Sequence, residues 1–214
     1  MLTLYYHPLS SFCWKVLIAL HERRIAFTPR LVDLGDADDR AAFARVWPIA
    51  KFPVLRDGTT GMTFPESSII IEYLDGLRSE QPQLIDTDPE AALQTRLWDR
   101  FYDHYVHVPM QKVVGDRLRA ADARDPHGVA EARATIDKAY DYAATAMAYR
   151  HWATGDAFTM ADCAAAPALW YANRVQPFGP GHGALAGYLE RLEVRASFAR
   201  VLTDAGPYMH MFPE

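Results

Sequence analysis

Residues 2–20 read LTLYYHPLSSFCWKVLIAL, a strand pattern that gives way to a helical one within a few residues. Leu2 to Tyr6 is short and β-prone, and Pro8 ends it, because proline lacks the N–H that a strand ladder needs. From Phe12 to Leu20 the apolar residues Phe12, Val16, Leu17, Ala19 and Leu20 recur at helical spacing, with Ser10 and Ser11 both able to cap the start. A strand that runs into a hydroxyl-bearing loop and then a helix is the first half of a β-α-β unit. Its second strand is expected parallel to the first. Phe27 to Val32 supplies that strand.

Working outward, Asp38 to Trp47 reads as a helix that stops before Pro48. Phe52 to Arg56, an Asp57-Gly58 turn and Thr60 to Phe64 read as a hairpin. Ser67 to Leu77 places Ile70, Ile71, Tyr73 and Leu74 on a helix entered at Glu66. The order is therefore β-α-β-α-β-β-α, with the hairpin adding an antiparallel edge. After Leu77 strand patterns stop. Ser79 to Pro89, with Pro82 and several polar residues, reads as a linker. Long helical patterns follow at about 90–120, 128–149, 160–174, 184–193 and 196–205. The expected organisation is an α/β domain over 1–78, a linker over 79–89 and an all-helical domain over 90–214.

Composition bounds the function. The chain has 214 residues, 50% hydrophobic and 23% charged, enough for genuine buried cores and far from a disordered chain. No apolar run approaches a membrane span, and Lys15, His21 and Glu22 interrupt the longest N-terminal apolar stretch, so no secretory signal is read and a cytoplasmic location is expected. Two cysteines, Cys13 and Cys163, exclude a disulfide framework and a cysteine-rich zinc module. His104 and His107 lie three apart without further ligands at metal spacing, so no metal is expected. Residues 1–78 hold nine Lys/Arg against nine Asp/Glu, and the rest thirteen against eighteen. The net charge of −5 thus sits in the second part. Neither part is the basic surface that nucleic acid requires.

Three places carry chemistry. Ser10 and Ser11 stand between the first strand and first helix, where ligands bind in α/β sheets, and the helix start adds unpaired N–H groups that favour an anion. Taken alone, a serine before a helix is most simply an N-cap. Lys51-Phe52-Pro53-Val54 sets a proline at the mouth of a strand, which points to an edge, a bulge or a cis bond. Phe64-Pro65-Glu66-Ser67-Ser68 leads into a helix. Its acidic and hydroxyl residues either cap that helix or hold the charged ends of an amino acid. Cys13, one turn into the first helix beside Trp14 and Val16, reads as a buried filler.

Taken in order, the strand, Ser10/Ser11 and helix, then Phe52-Pro53-Val54, then Glu66-Ser67, a linker and five helices resemble the glutathione transferase superfamily over nearly the whole chain. The resemblance implies a thioredoxin-like first domain, a cis Pro53 and glutathione as cosubstrate. The Phe52 backbone would pair with its cysteinyl unit, Glu66 and Ser67 would grip the γ-glutamyl end, and Lys51 would reach the glycyl carboxylate. Trp47-Pro48 and Ala50 stand where the family often has Asn-Pro and Gly. In serine-type members the active Ser lies three residues before the Cys at the head of the helix, which is Ser10. Tyr6 holds the place of the tyrosine-type hydroxyl, and Ser11 ranks third.

The implied activity is attack by the glutathione thiolate on a small apolar electrophile, in a homodimer to which Met62–Glu66 and the Leu93–Phe101 face contribute. Leu9, Tyr105 and Met110 are expected in the acceptor pocket. The alternatives are a glutathione-dependent isomerase, given a helix entry similar to the zeta type, and a non-catalytic adaptor that keeps the scaffold. A thioredoxin-type reductase lacks its Cys-x-x-Cys. Thr159-Met-Ala-Asp162 reads as a capping box with Phe158 as staple. The tail Gly206–Glu214 is too apolar to be solvated, and is expected to pack over the helical domain near the pocket, or else to bind a partner.

Overall fold

The first strand, β1 (Leu2–Tyr6), is the centre of assembly in a computed structural model that describes residues 1–213. It pairs in parallel with β2 (Phe27–Leu31), Leu2 opposite Phe27 and Tyr6 opposite Leu31. On its other side it pairs antiparallel with β3 (Val54–Asp57), which pairs antiparallel with β4 (Thr63–Pro65). The sheet order is β2-β1-β3-β4. Pro29 sits in edge strand β2 and Pro65 ends edge strand β4, the positions where a missing ladder donor does no harm. The hairpin begins at Val54 rather than Phe52. Its connection is longer than a two-residue turn: Asp57 N–H reaches the Met62 carbonyl, and Gly58 N–H is drawn instead to the Met1 carbonyl.

Helix α1 (Ser11–Glu22) contains neither Gly nor Pro and buries nine residues, so it is covered nearly all round. It packs on α3 (Ser67–Asp75) within the first domain and on α7 (Met160–Val175) and α9 (Ala196–Ala205) of the second. Trp14 is the pivot: its ring meets Trp170 at 4.9 Å and Tyr171 at 4.7 Å. Helix α2 (Ala37–Val46) covers the opposite face of the sheet, where Phe43 packs with Val32, Val54 and Tyr5. The small side chains of α7, Ala161, Ala164, Ala165, Ala166, Ala168 and Ala172, let neighbouring helices close around it.

The pattern expected as one helix over about 90–120 is two, α4 (Pro89–Phe101) and α5 (Val108–Arg117), joined by a π-helical turn over Tyr102–His107. The remaining helices are α6 (Pro126–Met147) and α8 (Gly183–Glu193), and the chain closes on a 3-10 segment, Gly206–Met211. The architecture is a four-stranded mixed sheet with helices, followed by a helical domain. Among the described residues no helix is long and apolar enough to cross a membrane.

Candidate active site

The loop between β1 and α1 ends on Ser10, the N-cap of α1. Its Oγ accepts the Cys13 N–H at 3.3 Å, which leaves the hydroxyl hydrogen free to donate elsewhere. The loop is held at every turn. Ser10 N–H donates to the His7 carbonyl at 3.0 Å, Trp14 N–H donates to the Ser10 carbonyl at 3.0 Å, and the Tyr171 hydroxyl donates to the Leu9 carbonyl at 3.0 Å. The Trp14 indole N–H donates to the Pro8 carbonyl.

Ser10 borders two adjoining cavities of about 430 and 410 Å3, and Phe52 and Gln111 line both. The larger is the more polar, with Lys51, Pro53, Glu66 and Ser67 on its wall. The Phe52–Pro53 bond is cis. Neither backbone polar group of Phe52 finds a partner among the described residues. Glu66 stands just before α3 with φ 68°, a left-handed conformation that costs a non-glycine residue about 1–3 kcal/mol and is retained chiefly at functional sites. Its side chain makes no capping bond and is exposed. Ser67 and Ser68 behind it are buried.

Beneath this wall lies a buried ionic cluster. The Lys15 ammonium, fully buried on α1, meets Asp99 at 2.5 Å and Asp103 at 2.8 Å, and donates to Ser68 Oγ at 2.7 Å. Ser68 Oγ donates in turn to Asp99 Oδ2 at 2.8 Å, and Arg100 caps the cluster from the rim. Burial works against ionisation of Asp103, but the Lys15 ammonium and His107 outweigh it and hold the carboxyl well below the usual range. The start of α3, and with it Glu66 and Ser67, is thereby fixed to α4.

The second cavity is apolar. His7, Leu9, Met110, Tyr171, Met211 and Phe212 line it. Phe212 packs on Tyr171 at 5.5 Å, and Arg117 donates to the Pro213 carbonyl at 3.0 Å, so the tail forms part of this wall. His7, Tyr171, Gln111 and the exact tail residues escaped the sequence reading. Position in the loop after β1 was the one signal for His7, and the apolar character of 206–213 the one for Phe212.

Of the residues expected here, Ser10, Lys51, Phe52, Pro53, Glu66 and Ser67 border the polar cavity, and Leu9, Ser11 and Met110 the apolar one. Two are elsewhere. Tyr6 shares the β1 face of Leu2 and Leu4, and its half-buried hydroxyl lies among Tyr208, Asp204 and Cys13, where burial raises its pKa. It borders neither cavity, because the two-residue period of the strand turns it to the core side. Tyr105 is 55% exposed and lines a separate apolar hollow between α4 and α6. The extra residue of the π turn rotates the following side chains, burying Val106 and His107 and turning Tyr105 out. Cys13 is wholly buried and desolvation pushes its thiol up to about 12, so it carries no nucleophile at neutral pH. Cys163 is likewise buried. No group of three or more potential metal ligands occurs among the described residues.

Comparison with known proteins identifies the family. Residues 4–82 match the family described as glutathione S-transferase, N-terminal domain, and residues 126–200 match glutathione S-transferase, C-terminal domain. A glutathione S-transferase-like protein of Fusarium, LUC7, is 31% identical over 74% of this chain and 72% of its own. The FtsZ-localized protein A of Caulobacter vibrioides is 27% identical over 96% of this chain and 92% of its own. The crystal structure of a glutathione S-transferase from Methylobacillus flagellatus with GSH bound superposes with a TM-score of 0.85 at 25% identity, over 94% of this chain and 98% of that one.

Proposed function

Because the chain belongs to the glutathione S-transferase family, we propose that it binds glutathione in the polar cavity and activates the thiol through the Ser10 hydroxyl. The observation that carries this reading is that Ser10 lines both the polar and the apolar cavity, with its hydroxyl hydrogen uncommitted.

The residues divide the work by chemistry. Phe52 presents an unpaired backbone N–H and C=O to the cysteinyl unit, as an extended peptide requires. Ser67 and the first N–H groups of α3 receive the γ-glutamyl carboxylate, and Glu66 receives its ammonium. Lys51 faces the glycyl end. Glutathione supplies a sulfur nucleophile that bonds to an electrophilic carbon as the leaving group departs with its bonding pair. A free thiol has a pKa of about 8.5, so only a few per cent is ionised at neutral pH. Ser10 stays neutral throughout and donates to the sulfur, while the amides at the α1 start add their partial positive charge. Lowering the pKa by about one to two units corresponds to about 1.4 kcal/mol for each unit. The apolar wall of Leu9, Met110, Tyr171 and Phe212 excludes water and suits a small apolar acceptor.

Ser10→Ala tests the reading: turnover with an aryl halide should fall about 10–100-fold while glutathione affinity changes little. Unchanged turnover removes Ser10 from the mechanism. The similarity to an FtsZ-localized protein supports a second reading, a protein-binding member without turnover. Passage through immobilised glutathione without retention would favour it, since an adaptor without the site should wash through.

The functional unit we infer is a pair of identical chains. Leu93 and Leu97, one turn apart on α4, are 63% and 54% exposed, and Met62 and Ile69 on the β4–α3 side are about half exposed as well. These faces are apolar and uncovered in the single chain.

A further inference from the structure

The helix-entry loop is tied by backbone and aromatic donors at five points and by one titratable side chain at a sixth. Leu9 N–H donates to Nδ1 of His7 at 3.2 Å. The same imidazole lies nearly flat on Phe52, with ring centroids 5.8 Å apart and 17° between planes, and meets Tyr208 of the tail edge-on at 6.5 Å. One ring therefore touches both walls that are to flank the sulfur: the Ser10 loop and the Phe52 corner.

We propose that His7 is a positioning residue, whose Nδ1 lone pair holds the Leu9 N–H and so aims the Ser10 hydroxyl at the sulfur of glutathione. The inference rests on the assignment of Ser10 to the thiol and adds what makes that serine competent. An Nδ1 that accepts a hydrogen bond leaves the ring proton on Nε2. Protonation would set an Nδ1–H against the Leu9 N–H, two donors facing one another, and the loop would lose this tie while keeping those from Trp14 and Tyr171. The groups facing His7 are the Asp33 carboxylate after β2 and the Tyr208 ring of the tail, besides Phe52 and the Leu9 amide. Burial holds its pKa below the ordinary histidine value, with Asp33 opposing, so the lone pair is available at neutral pH and is lost as pH falls through the depressed value.

The experiment follows the ultraviolet absorbance of the thiolate of bound glutathione against pH in the full-length chain, alongside steady-state kinetics. His7→Leu should raise the bound thiol pKa by about one unit and lower kcat about tenfold, with the KM for glutathione within about twofold. His7→Gln, whose Oε1 accepts without titrating, should restore the pKa and kcat. On the acid limb the wild type should lose thiolate more steeply than a single proton allows, and His7→Gln with single-proton steepness. A wild-type thiol pKa in folded His7→Leu overturns the proposal. So does a failure of His7→Gln to restore it, or identical acid limbs in wild type and His7→Gln. The last comparison stands even if His7→Leu does not fold. Ser10→Ala separates the two layers. If Ser10→Ala raises the thiol pKa and His7→Leu does not, only the role of His7 falls. If Ser10→Ala leaves the thiol unchanged, the assignment of Ser10 falls, and the inference with it.

Discussion

Ala50 holds φ 52°, in the left-handed region where a Cβ meets its own backbone. Its N–H closes a turn on the Trp47 carbonyl at 2.9 Å, delivering the chain to Lys51 and Phe52. Glycine adopts this conformation without strain but loses more chain entropy on folding, and the two effects oppose. Strain relief of about 1–2 kcal/mol against an entropy cost of about 0.4–1 kcal/mol leaves Ala50→Gly neutral to stabilising by about 1.5 kcal/mol. A denaturant midpoint below the wild-type value would contradict this. Glu66, also left-handed, differs because its side chain is proposed to bind, so relieving it would sacrifice affinity. At this scale the cavity-wall positions of Ser10, Phe52, Glu66 and Ser67 were legible, because each lies at a loop–element junction that local chemistry marks. Tyr6 and Tyr105 were not, since their facing is decided by a strand's core side and by an inserted helical residue.

Among the elements, α7 depends most on a single side chain. Asp162 is fully buried, and its carboxylate accepts from Thr159 N–H at 2.8 Å, Ala153 N–H at 2.8 Å, the Tyr188 hydroxyl at 2.6 Å and the Thr159 hydroxyl at 3.1 Å. Burial raises its pKa against the pull of those four donors. Asp162→Ala orphans them at once, and the expected loss is about 3–5 kcal/mol of stability. Chemical denaturation reads this directly, with glutathione affinity of the remaining folded protein unaltered. A loss below about 1 kcal/mol would show that water replaces the carboxylate. The capping box was visible because its spacing is local. The break between α4 and α5 was not, because a π turn leaves no mark in apolar periodicity: the turn packs against α7, and His107 goes inward to stack on Phe12 of α1, without any change of composition.

For the molecule as a whole, one apolar surface stands uncovered in the single chain. The apolar strip of Leu93 and Leu97 is the proposed contact between copies. Leu97→Glu places a charge at its centre and should shift the mass by light scattering from that of two chains to that of one at micromolar concentration. An unchanged mass would move the contact elsewhere. The domain order, the mixed sheet and the helical second half were readable from one change in pattern near Leu77. How the halves meet was not, because Lys15 sits mid-helix in an apolar run and its two carboxylate partners lie more than eighty positions away.

That buried lysine has an evolutionary corollary. Each half carries one pole of a circuit that closes only when both are present, so neither can be traded as an independent module. A chimera joining the first eighty residues to a foreign helical half would strand an ammonium ion in hydrocarbon unless the newcomer brought matching aspartates at the same two helical positions. Recombination at the linker is therefore filtered by electrostatics before it is ever tested for catalysis.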